Sequence, residues 1–104
     1  MKINAKTARI LTERNIIKRS EIACKFVLEQ ADAILMPKII NAATHGESSI
    51  NYRWKEETWE KVGADADAII AALQEYFEPL GFKIRISIDQ VEDHISEVLL
   101  IVKW

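Results

Sequence analysis

The spacing of apolar residues changes once along this chain of 104 residues, at His45-Gly46, and no other feature restricts its fold as much. Before that point apolar side chains recur every three or four residues, the signature of helix; after it Ile50, Tyr52 and Trp54 alternate with Ser49, Asn51 and Arg53, the signature of a half-buried strand. Gly46 supplies the helix stop, at a position where a left-handed residue is wanted. The chain therefore divides into a helical part, 1–46, and a β-α-β-β part, 47–104, of one domain.

Within the helical part, Asn4 is a good N-cap for a short helix expected to end or bend near Asn15. A second helix is expected from about Ile16 to Thr44, with Pro37 kinking or restarting it, because proline lacks an N–H and clashes with the preceding turn. From Phe26 to Ala43 this helix is apolar on two sides. One stripe is Ile22, Phe26, Ala33, Met36, Ile40 and Ala43; the other is Val27, Leu28, Ala31, Ile34, Leu35, Ile39 and Ala42. Two stripes call for two covers, the second being the N-terminal helix or another subunit.

Beyond the first strand, Lys55 to Glu60 reads as an acidic turn and Asp65 to Glu78 as a helix stopped by Pro79 and Gly81. Phe82, Ile84, Ile86 and Ile88 alternate with polar residues in a second strand. Asp89 to His94 reads as a turn, and Val98 to Val102 is apolar on both faces, which suits a central strand. The expected fold is α+β, in the order α-α-β-α-β-β. Its three-stranded, mostly antiparallel sheet has the order 1-3-2, with the helices packed on one face.

Composition places the chain among globular domains, with 49% hydrophobic and 29% charged residues. No run of about 18 apolar residues is present. A polar N-terminus without a leader-like apolar run, and a single cysteine, Cys24, point to the cytoplasm. Charge is unevenly spread. Residues 1–25 hold seven cations and two acids, whereas 56–97 hold eleven acids and three cations. Such a chain can dock on an anionic partner, or on its own copy, by one end, although a solvated basic helix gives the same pattern.

If the helices cover the face carrying Ile50, Tyr52, Trp54, Val98 and Leu100, the outer face displays Asn51, Arg53, Lys83, Arg85 and Lys103 around Leu99 and Ile101. Those five polar residues are the candidate contacts to an anionic ligand or partner. Phe26, Ile34, Leu35, Leu99 and Ile101 are the candidate oligomer interface. A dimer interface or a solvated sheet face accounts for the same residues. The face offers no aromatic platform, which argues against nucleic acid.

Catalytic chemistry finds little support. A nucleophile needs a base, and the base an orienting group. Cys24 sits on an apolar helix segment, as inert core thiols do. His45 lies where it can cap a helix end, and its pairing with Ser48 or Ser49 has no supporting motif. The run Asp89, Glu92, Asp93, His94 matches no calcium loop. No metal site, cofactor or phosphate-cradling glycine loop is expected. Trp54 and Trp104 fall on core positions, leaving Trp59 as the exposed tryptophan.

The segment Ile39-Ile40-Asn41-Ala42-Ala43-Thr44-His45-Gly46-Glu47-Ser48-Ser49-Ile50, with Leu80-Gly81-Phe82-Lys83-Ile84 and the terminal Trp104, resembles small accessory proteins of tailed bacteriophages or prophages. The resemblance implies a phage product in the host cytoplasm that acts by binding, and it brings no functional residues with it. The expected function is that of a non-catalytic, homo-oligomeric protein that binds a host protein or factor. Alternatives are a sponge for a small anionic, nucleotide-like ligand of a defence pathway, a virion or structural component and, least, a small hydrolase.

Overall fold

A computed structural model describes residues 4–104, the side chains of 10–17 excepted. The elements are α1 (Ala5–Gln30), a π-helical turn (Ala31–Leu35), α2 (Met36–Thr44), β1 (Ser49–Lys55), α3 (Glu56–Glu60), α4 (Ala66–Phe77), a 3-10 turn (Glu78–Leu80), β2 (Lys83–Val91) and β3 (His94–Lys103). The sheet is antiparallel throughout, in the order β1-β3-β2. The fold is thus the expected α+β arrangement, with β3 in the centre.

Asn4 caps α1, its side chain accepting from the Thr7 N–H at 2.8 Å. The expected end near Asn15 does not occur, and α1 runs on to Gln30. Asparagine costs a helix only a few tenths of a kcal/mol, and no glycine or proline follows to make the break worthwhile. With the π turn and α2, one helical rod extends from Ala5 to Thr44. At about 1.5 Å per residue such a rod measures about 60 Å, matching the molecule's longest dimension of 61 Å.

The π turn has two causes in the sequence. Pro37, in the first turn of α2, cannot donate to the preceding turn, and a widened turn relieves its clash. The buried stripe Val27, Ala31, Leu35, Ile39 also repeats every four residues, slower than the 3.6 of an α-helix, so the stripe would rotate off the core. A wider turn brings it back. The Met36 N–H accordingly donates to Ala31 O, five residues back.

The core lies between the helices and one sheet face, and Leu35, Ile69, Leu73, Phe77, Val98, Leu100 and Val102 are fully enclosed. Phe26 and Leu35 belong to it, at 5% and 0% exposure. Both are thus enclosed by the chain's own core and not on the surface that an interface role would require. Ile34 is half-buried. Nor does a separate N-terminal helix supply a second cover, because it is the same rod; Leu28 of one stripe and Ile40 of the other stay 51% and 66% exposed.

The segment expected as an acidic turn is α3, and Trp59 on it is buried at 3%, whereas Trp104 is 42% exposed, the reverse of expectation. Trp59 belongs to the hydrophobic core, while its neighbours Glu57 and Glu60 stay exposed. Trp104 follows the last residue of β3 and has lost the sheet's cover. The turn between β2 and β3 is shorter than Asp89–His94: only Glu92 and Asp93 lie outside the strands, with Glu92 at φ 57°. No helix is long and apolar enough to cross a membrane among the described residues.

Candidate functional site

The outer sheet face is organised by strand register into cross-strand rows. Ser49, Lys103 and Lys83 form one row; Asn51, Ile101 and Arg85 the next; Arg53, Leu99 and Ser87 the third; and Lys55, Glu97 and Asp89 the last. All five expected contact residues are exposed on this face, with Leu99 and Ile101 half-buried between them. The cations do not ring the apolar centre, however. Arg53 Nε lies 3.4 Å from Glu97 Oε1, so Arg53 belongs to the acidic end. Lys83, Arg85 and Lys103 gather at the other.

Lys83 and Lys103 are direct cross-strand partners. Like charges in that relation repel, by a few tenths to about 1 kcal/mol. Neither has an acidic partner within salt-bridge distance among the described residues. Around them is an open recess of about 390 Å³ lined by Ser48, Ser49, Gly81, Lys83, Lys103 and Trp104. The fold assembles it from three places: the entry of β1, the end of the segment after α4, and the last residues of β3.

Two local devices fix the recess. Gly81 has φ 89°, and its N–H donates to Glu78 O at 3.0 Å while the Phe82 N–H reaches Phe77 O at 3.3 Å. This is the paired hydrogen bonding of a glycine-terminated helix, with its expected apolar contact, Phe77 against Phe82 at 5.8 Å between ring centroids. On the other side the Trp104 N–H donates to Ser48 O at 3.1 Å, and the indole stands edge-on to Phe82 at 6.4 Å. An exposed aromatic surface, two hydroxyls and two ammonium groups thus border one recess.

The remaining candidates are dispersed. His45 Nδ1 donates to Asn41 O at 2.7 Å, capping α2. It lines a separate depression with Lys38, Asn41 and Glu47, so its ring is given to the helix end and Ser48 and Ser49 to the recess. His94 Nε2 lies 3.2 Å from Glu56 Oε2, beside an acidic hollow that also takes in Glu60, Asp65, Asp67 and Asp93. No three metal-ligating side chains converge among the described residues. Cys24 is half-buried against the core.

Residue reading on the sequence missed Ser48, Ser49 and Trp104 as neighbours of Lys83 and Lys103. The available signal was the alternation itself: counting back from Val102 opposite Ile50 places Lys103 beside Ser49. No family model matches the chain, and it has no significant match among curated proteins or solved structures.

Proposed function

We propose that the chain is a non-catalytic binding protein for a small phosphate-bearing molecule with an aromatic part, a nucleotide in chemical class, held in the recess at the basic end of the sheet. One observation carries the reading: Lys83 and Lys103 face each other across β2 and β3 without an acid between them, and an exposed indole borders the same recess. An anion seated between the two ammonium groups turns their repulsion into two charge-assisted contacts, with Ser48 and Ser49 as further donors. Trp104 offers a π-face for a base. For a phage product, the use of such capture is removal of a signalling nucleotide.

ATP is a suitable probe. Trp54 and Trp59 are 2% and 3% exposed against 42% for Trp104, so quenching of tryptophan emission on titration reports the recess. Lys83→Ala with Lys103→Ala should weaken binding by about tenfold or more, and Arg53→Ala should leave it unchanged. Equal affinity in the double variant sinks the reading. Docking of another protein on the outer face is a second reading, favoured by the half-buried Leu99 and Ile101 at its centre.

A further inference from the structure

We infer that two copies of this chain join through the free edge of β2, antiparallel about a two-fold axis at Ile86, to make one six-stranded sheet. β2 is an edge strand, paired on one side only, to β3. Its inner face carries Ile84, Ile86 and Ile88; the first two are half-buried and Ile88 is 43% exposed, so the helical layer ends before this edge is covered. An apolar, uncovered edge is a template for another strand.

Charge identifies the occupant. Both ends of the regular part of β2 carry like-charged partners within the chain, Lys83 opposite Lys103 and Asp89 opposite Glu97. Asp89 has no ion pair among the described residues, since Arg53, the cation bordering the same depression, is taken by Glu97. Residues 83 and 89 stand at equal distances from 86. An antiparallel copy centred on Ile86 therefore sets Lys83 opposite Asp89 of the second copy, and does so twice by symmetry. The same register sets Ile86 against itself and Ile84 against Ile88 of the second copy, while Arg85 meets Ser87. It uses residues 83–89 and stops at the irregularity between Asp89 and Gln90. Moving the axis to Ser87 would leave Ile84 opposite Gln90 and carry the pairing through that irregularity.

The test uses the full chain and its mass by light scattering across a dilution series. The parent should be a dimer whose dissociation constant rises about tenfold or more in Lys83→Asp and in Asp89→Lys, as two attractive pairs become repulsive. Combining the two restores it. Within one chain each change is favourable, since it sets Asp opposite Lys103 or Lys opposite Glu97, so misfolding does not imitate the loss. Asp89→Lys lies outside the recess, and ATP binding should survive it, which separates this inference from the binding reading. In a Cys24→Ala background, Ile86→Cys should form a disulfide dimer on oxidation and Ser87→Cys should not. A monomeric parent, a double variant no better than the single ones, or crosslinking at 87 in place of 86 overturns the proposal.

Discussion

Gln30 ties the helical rod to the sheet through its side chain: Trp54 Nε1 donates to Gln30 Oε1 at 2.9 Å. Trp54 is 2% exposed, so its N–H has nowhere else to turn. Gln30→Ala should cost about 1–3 kcal/mol, the cost of an unsatisfied buried donor, read as a lower urea midpoint. Gln30→Glu keeps an acceptor and should cost less. The bond was hidden in the sequence, because a glutamine on a helix face reads as solvated. Trp54 itself was legible from strand alternation. Trp59 was not: one apolar residue among Lys55, Glu56, Glu57 and Glu60 has no period to reveal it. Its indole nonetheless fills the core, and Trp59→Ala should lose about 3–5 kcal/mol.

At the scale of elements, stops were easier to read than continuations. Gly46 and Gly81 end helices where expected, at φ 79° and 89°. A Cβ at Gly81 would meet nothing within 4 Å, so Gly81→Ala carries only the left-handed backbone cost. It should lower stability by about 1–2 kcal/mol, and Gly81→Asn by less; thermal melts distinguish the two. The central place of β3 followed from Val98 to Val102 being apolar on both faces. The π turn did not follow from Pro37 alone, which suits a kink as well. The discriminating signal was the four-residue spacing of Val27, Ala31, Leu35 and Ile39, visible only once the buried stripe is separated from the exposed one.

Across the whole molecule, register decides the site. The five exposed polar residues of the outer face were legible from alternation, but which cations stand together was not. That depends on which acid each faces, and Glu97 removes Arg53 from the group. The acidic hollow and the basic recess consequently lie toward opposite ends of the sheet. Lys83 belongs both to the recess and to the inferred pairing with Asp89 of a second copy, so the two equilibria are linked. Saturating ATP should shift the parent toward monomer, and the Asp89→Lys chain, already monomeric, should bind ATP at least as tightly as the parent. Sedimentation with and without ATP measures the first, and the fluorescence titration the second.

The rod also governs how the molecule moves through solution. A compact domain of this length has a radius of gyration near 13 Å, whereas this chain has 16.4 Å. Its drag is therefore that of a heavier sphere, and a single copy should leave a gel-filtration column early, in the range where a compact dimer elutes. Elution volume alone would count copies wrongly. Rotational diffusion should be anisotropic as well: backbone amides of the rod, whose N–H bonds lie along the long axis, should give longer apparent correlation times in NMR relaxation than amides whose N–H bonds point across it.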